Sequence, residues 1–141
     1  MTAGGGLAGA FDGSTTQSGG AAQKSSVSSS GSAYVGKTVA VPTAIESVTV
    51  FGTSSNGYVA TVNPTVVLTL YGKNGSAPAN SSDGTTLGSI SFTDTANEST
   101  GRSITSSDTA TYWDHVWVKL THSDGTARLT GIAELQMTGW I

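Results

Sequence analysis

Cysteine is absent from this sequence of 141 residues, and charged residues are scarce. Without cysteine there is no disulfide framework, no thiolate metal site and no cysteine nucleophile. Charged residues make up 11% of the chain, Lys and Arg total 6, and the formal net charge is −3. A basic surface for nucleic acid and the charged outer face of a coiled coil are therefore both excluded. We expect no nucleic-acid partner.

Long apolar runs are also missing. No stretch approaches the roughly 20 apolar residues of a membrane-spanning helix. Residues 1–10 lack the basic segment and the apolar run of a signal peptide. We therefore expect synthesis in a cytoplasm without a secretion signal, and no membrane insertion.

Hydroxyl-bearing residues and glycine are abundant instead. Ser and Thr account for 43 residues, and Gly for 19. Short β-branched runs alternate with Gly, Asn, Asp and Pro, a pattern typical of strands and turns. The predicted strands are 33–41, 45–51, 65–71, 86–92, 102–105, 112–121 and 132–138. Alternation places Val66, Leu68 and Leu70 on one face, as it does Val116, Val118 and Leu120. These features predict an all-β fold, an antiparallel sandwich or jelly roll of about eight strands.

The chain length corresponds to one domain. Residues 1–32 are rich in Gly, Ser and Ala and are predicted to be loop-like. We assign residues 1–10 to a Gly-rich N-terminal arm and residues 11–141 to a single β-sandwich domain. Four Asx-Gly pairs predict turns with glycine at positive φ, namely 56–57, 74–75, 83–84 and 124–125.

The predicted strands follow one another in an order that resembles the discoidin-like, or F5/8 type C, domains. The resemblance covers about residues 8–139 and rests on the runs FDGST at 11–15, YVGKT at 34–38, AIESVTVFG at 44–52, TVVLTLYG at 65–72, HVWVKL at 115–120 and IAELQMTG at 132–139. It implies a galactose-binding-like jelly roll of about eight strands. Members of this family bind sugars, lipid headgroups or proteins through loops at one end.

The same resemblance implies a structural cation, usually Ca²⁺, that joins the opening loop to the last strand. The matching positions here are Asp12 and Glu134, and Ser14 can add a carbonyl oxygen. A reading without metal stays open: Asp12 closes an Asx-turn, and Glu134 pairs with a backbone N–H or with Arg128.

Two groups of residues are candidates for ligand binding. Strict alternation puts Trp113, His115, Trp117 and Lys119 on one strand face, where they can stack on a sugar or pack under a neighbouring element or subunit. The second group consists of predicted loop residues, namely Tyr58, Asn56, Asn74, Asp83 and His122. They can line a binding site at one end of the barrel, or they can be ordinary solvated loop residues.

No catalytic constellation is recognisable. The chain has 21 serines, and only His115 and His122 could act as the base of a Ser–His–Asp triad. Because so many serines could be combined with either histidine, such a combination is no evidence for a catalytic triad. The expected function is therefore non-enzymatic.

The Gly-, Ser- and Thr-rich composition, the lack of a signal peptide and the size of a single domain look most like the discoidin-like domains of tailed-phage virion proteins. This predicts a structural protein of a tail, baseplate or capsid surface, made in the host cytoplasm and located in the virion. Its partners would be other virion proteins and copies of itself. The alternative is a carbohydrate-binding adhesin module that recognises host-surface glycans.

Overall fold

The computed structural model describes residues 10–15, 22–95 and 100–141, and these residues form eight β-strands. In chain order the strands are β1 (Ala22–Val27), β2 (Ala33–Phe51), β3 (Thr65–Lys73), β4 (Thr85–Thr93), β5 (Arg102–Thr105), β6 (Tyr112–His122), β7 (Arg128–Ile132) and β8 (Glu134–Trp140). Among the described residues, no helix has the length and apolar character needed to span a membrane. The predicted all-β jelly-roll sandwich is confirmed.

All strand pairings are antiparallel. Six strands form one sheet in which the order is β4-β3-β6-β2-β5 and β8 pairs with β2, while β1 and β7 form a separate pair. The 19-residue β2 connects the sheet: residues 33–44 pair with β6, and residues 44–51 pair with β8. Its register against β6 is interrupted between Thr38 and Thr43. Pro42 lies in that interruption, where its missing N–H costs no ladder bond.

The core follows the predicted alternation. Val66, Leu68 and Leu70 of β3 are completely buried. Val116, Val118 and Leu120 of β6 are buried beside them in the same cluster. Burial of such aliphatic side chains contributes about 1.5–3 kcal/mol each, which lets this chain fold without disulfides.

Three strand predictions were wrong in detail. Predicted strands 33–41 and 45–51 are one strand, because pairing passes from β6 to β8 without a break in the extended backbone. Predicted strand 132–138 corresponds to β8, shifted by two residues, and β7, which ends just before the buried Ala133, was not predicted. β1 was missed because its sequence, AQKSSV, has a single β-branched residue. It is held by pairing with β7 rather than by its own propensity.

Two of the four predicted glycine turns have the expected geometry. Gly57 and Gly75 adopt positive φ, at 62° and 79°. Gly84 and Gly125 are not among the positive-φ glycines, so the Asx-Gly pattern overpredicts this conformation. Of the predicted arm, residues 1–9 lie outside the described part of the chain, and Ala10 is buried in the core.

Candidate functional site

One face of β6 holds the long connection between β3 and β4 against the sheet. This connection, residues 74–84, is called the β3–β4 loop here. The Trp117 indole N–H donates to the Ser81 carbonyl at 3.0 Å, and the Lys119 ammonium donates to the Ser82 hydroxyl at 2.8 Å. Alternate residues of β6 therefore contact successive points of the loop.

His115 completes this set with both ring nitrogens engaged. Its Nε2 lies 2.9 Å from the Gly75 carbonyl oxygen, and its Nδ1 lies 2.9 Å from the Thr38 hydroxyl. Because a carbonyl only accepts, Nε2 carries a proton and donates it, and in the neutral ring the Thr38 hydroxyl donates to Nδ1. The imidazole is thus fixed between β2 and the β3–β4 loop, and acts as a positioning group.

A pocket of about 120 Å³ opens beside these contacts, between β2, β6 and the β3–β4 loop. We call it the outer-face pocket; its lining consists of Tyr34, Gly36, Lys37, Thr38, Ala77, Pro78, His115, Val116 and Trp117. Along β2, Tyr34, Gly36 and Thr38 share one face by alternation, the face of His115. Lys37 points to the opposite face, where its Nζ lies 5.5 Å from the centre of the Phe11 ring. The side chains that face the pocket are therefore aromatic, apolar or hydroxyl-bearing, together with the His115 imidazole.

The predicted four-residue stripe of β6 is broken at Trp113. His115, Trp117 and Lys119 lie under the β3–β4 loop, whereas Trp113 belongs to the hydrophobic core and is 6% exposed. The expectation that Trp113 binds a ligand on the same face is wrong. The pairing register of β6 with β2 is interrupted next to Trp113, so strict alternation does not extend past His115.

Tyr58 was expected on an exposed loop, and this is also wrong. It is fully buried, and its hydroxyl donates to the carbonyls of Val50 and Thr100, at 2.7 and 3.1 Å. The Asp94 carboxylate accepts the backbone N–H groups of Tyr58 and Val59 at 2.9 and 2.8 Å. The Tyr58 side chain therefore anchors the β2–β3 connection to the core.

The remaining loop candidates do not form one site. Asn56 lies in the β2–β3 connection, and Asn74 and Asp83 lie in the β3–β4 loop, at the other end of β3. Nine residues of strand separate the two ends by about 30 Å. Asp83 pairs with Lys73 at 2.7 Å, and hydrogen bonds from the Ala79 N–H and from Lys73 lower its pKa. His122 is buried and bonds through Nε2 to the Val27 carbonyl.

The opening loop and the last strand meet as the resemblance implied. The Gly13 N–H donates to Glu134 Oε2 at 3.0 Å, and the Ser14 N–H donates to Asp12 Oδ1 at 2.9 Å in an Asx-turn. Burial raises the pKa of Glu134; the Gly13 N–H opposes this rise and the Asp12 charge adds to it. Arg128 pairs with Asp124 instead, at 3.0 Å.

This meeting point fits a hard cation in part. Asp12 and Glu134 bring two carboxylates close enough for mutual repulsion, which a bound cation would relieve. Within the described ranges no cluster of three or more His, Asp or Glu side chains can hold a metal, so backbone carbonyls would complete the ligand set.

The pocket residues Tyr34, Thr38 and Pro78 were not predicted as site residues. Tyr34 and Thr38 belong to a predicted strand, and its sequence does not indicate which strand it pairs with. Only the pairing of Gly36 with Trp117 and of Thr38 with His115 brings them to the β6 face.

The fold is shared with known carbohydrate-binding proteins. A fucolectin from striped bass serum superimposes with a TM-score of 0.70 at 16% identity, over 96% of this chain and 42% of that protein. A CBM32 module of AlyQ, solved with 4,5-unsaturated mannuronic acid, gives 0.62 at 14% identity over 98% and 89%. A chitosan-binding module from Paenibacillus sp. IK-5 gives 0.55 at 17% identity over 97% and 87%.

Sequence comparison adds no relative. No protein-family model matches the chain, and a search of curated proteins finds no match. The structural likeness therefore concerns the fold: a galactose-binding-like β-sandwich of the type found in lectins and carbohydrate-binding modules. The chain spans less than half the length of the fucolectin.

Proposed function

We propose that this domain binds carbohydrate without catalysis, and that the outer-face pocket takes a sugar ring. The observation that carries the proposal is the pocket lining, in which aromatic side chains and a hydroxyl converge beside the hydrogen-bonded His115 imidazole. The solved structures with this fold support it, because they are a lectin and carbohydrate-binding modules. This favours the alternative in the sequence analysis over the virion role.

The pocket suits one uncharged sugar residue. Its volume of about 120 Å³ is below the roughly 300 Å³ at which sites begin to enclose a whole ligand, so much of the sugar would stay in solvent. The Tyr34 ring offers an apolar face with a polar hydroxyl at its end, which matches the mixed surface of a pyranose. The Lys37 ammonium lies on the other face, and the Lys119 ammonium, opposite Tyr34, donates to the Ser82 hydroxyl, so neither ammonium is directed at an acidic group in the pocket.

A glycan array followed by titration calorimetry tests this function. The wild-type domain is expected to bind neutral glycans, and Tyr34→Ala is expected to weaken binding about tenfold by removing an aromatic contact. Tyr34→Phe retains the ring and is expected to keep most of the affinity. Thermal melts of both variants check that the fold is intact.

The matched control is Asn56→Ala, at the other end of β3. Asn56 was a sequence candidate for ligand binding, and its side-chain amide donates to Ser55 Oγ at 3.1 Å. If Asn56→Ala abolishes binding and Tyr34→Ala does not, the sugar binds at the loop end and the pocket assignment is wrong. An array without any hit contradicts carbohydrate binding itself.

A role in a bacteriophage virion stays a prediction. It is supported by the low charge of the chain, since a surface with few charges loses little solvation when it packs against other proteins. Mass spectrometry of purified particles tests it: stoichiometric presence supports a virion protein, and absence excludes one.

We also propose that Ca²⁺ binds between Asp12 and Glu134, with the Ser14 carbonyl as a further ligand. The proposal is supported by the hydrogen bond from the Gly13 N–H to Glu134, which joins the opening loop to β8, and by the charge of Asp12, which raises the pKa of Glu134. A bound ion would connect the opening loop to β8 and would be structural.

A further inference from the structure

Two aromatic side chains remain exposed in one row across the sheet. Ala44 of β2 pairs with Tyr112 of β6 on one side and with Trp140 of β8 on the other. Tyr112 is 45% exposed and Trp140 is 46% exposed. We call these three residues the aromatic shelf.

Pairing geometry fixes how the shelf is arranged. Directly opposed residues of antiparallel strands project to the same face, so Tyr112, Ala44 and Trp140 share a face. Two interstrand spacings separate the Cα atoms of Tyr112 and Trp140 by about 10 Å. Ala44 lies between them and is completely buried, whereas its neighbour Ile45 belongs to the core. The shelf therefore lies on the outside of the sandwich.

The exposure of these rings is unusual within this molecule. Trp113 and Trp117 are 6% and 2% exposed, and Tyr58 and Tyr71 are also buried. Adjacent aromatic side chains left in solvent lose the stabilisation that burial would give, so a paired set on one face marks a contact surface.

We propose that the aromatic shelf binds two sugar rings of one neutral polysaccharide chain. The inference extends the proposed carbohydrate function and rests on it. The Cα atoms of Tyr112 and Trp140 lie about 10 Å apart, further than the length of one pyranose unit, so the pair suits two units of a chain better than one monosaccharide. Each ring offers a flat apolar face for the C–H face of a pyranose, and its hydroxyl or indole N–H can bond a sugar hydroxyl.

The small number of large exposed apolar side chains argues against an obligate protein interface, which is more hydrophobic than the rest of a protein surface. The large exposed apolar side chains of the described residues are Val41, Val62, Tyr112, Trp140 and Ile141. A polysaccharide needs only the two rings, and one that enters the pocket at Thr38 can also follow β2 toward Ala44.

Affinity electrophoresis in gels that contain galactomannan, xyloglucan or laminarin tests the shelf. The wild-type domain is expected to be retarded by at least one of these neutral polysaccharides. Tyr112→Ala and Trp140→Ala are each expected to weaken retardation about tenfold, while Tyr112→Phe and Trp140→Phe keep it. The matched control is Val62→Ala, which removes an exposed apolar side chain in the β2–β3 connection and is expected to change nothing.

Tryptophan fluorescence gives a second readout of the shelf. Of the three tryptophans, only Trp140 is substantially exposed, so quenching by acrylamide reports mainly on it. The retarding polysaccharide is expected to protect the wild-type domain from quenching. Trp140→Phe is expected to abolish the protectable signal.

The outcomes separate the shelf from the pocket. Loss of retardation in the shelf variants together with protection of Trp140 supports the proposal. Retardation that Tyr34→Ala removes and the shelf variants keep overturns the shelf and leaves the carbohydrate function standing. No retardation by any polysaccharide overturns the shelf, and an array without hits then overturns the proposed function too. Self-association that Trp140→Ala abolishes would make the shelf a protein interface and overturn the proposal.

Discussion

Trp117 lies almost parallel to Tyr71 on the neighbouring strand, with ring centroids 5.4 Å apart and planes inclined by 8°. The stacked pair lies beneath the β3–β4 loop, which Trp117 also holds through its indole N–H. The floor of the outer-face pocket is therefore packed and hydrogen-bonded before any ligand binds. Such preorganisation lowers the entropic cost of binding.

Trp117→Phe tests this support. Phenylalanine keeps a ring on Tyr71 and loses the bond to the Ser81 carbonyl, so we expect the free energy of unfolding to fall by about 1–2 kcal/mol. Urea denaturation measures the loss. Limited proteolysis with subtilisin is expected to cleave residues 74–84 faster than in the wild type, and an unchanged cleavage rate would mean that Trp117 does not hold the loop.

Tyr58→Phe separates anchoring from binding. The substitution removes the hydroxyl that bonds the Val50 and Thr100 carbonyls, so we expect about 1–3 kcal/mol of destabilisation. Sugar affinity at a temperature where the variant is folded is expected to stay at the wild-type value. Thermal melting and calorimetry measure the two effects, and a loss of affinity without a loss of stability would restore Tyr58 as a binding residue.

Asp124 is expected to make the protein sensitive to acid. Hydrogen bonds from the Thr126 N–H and hydroxyl, from the Thr61 hydroxyl and from Arg128 lower the pKa of Asp124 below its ordinary value of 3.8. A lowered pKa contributes stability above the ordinary value, and that contribution is lost as the pH falls through the lowered one. We expect the unfolding midpoint of the wild type to fall more steeply below pH 4 than that of Asp124→Asn. Parallel curves for the two proteins would exclude this contribution.

Calcium is expected to raise the unfolding temperature of the wild-type domain relative to the same domain in EDTA, by stabilisation through binding to the folded state. Asp12→Asn keeps the size of the side chain and an oxygen for the Asx-turn, so it is expected to retain the fold and lose most of the calcium effect. Asp114→Asn, far from the opening loop in sequence, is the control. An equal response to calcium and magnesium in all three proteins contradicts a specific site.

The sequence predicted the all-β class and the buried faces of β3 and β6 because period-two alternation reports local strand geometry directly. It also brought Asp12 and Glu134 together through the family resemblance. It misassigned Trp113 and Tyr58, because exposure depends on packing that no local pattern records. The pocket was not predictable for the same reason: Tyr34 and Trp117 are 83 positions apart and meet only through the register of β2 against β6.

The length of β2 has a consequence for how the domain unfolds. Because one continuous strand pairs with β6 along its first part and with β5 and β8 along its second, neither part of the sheet can open without disturbing the ladder of the other. Amide hydrogens of β2, β6 and β8 should therefore exchange through a single cooperative opening, with similar protection on both sides of Pro42. Cleavage of the chain at Pro42 should therefore unfold both parts of the sheet together.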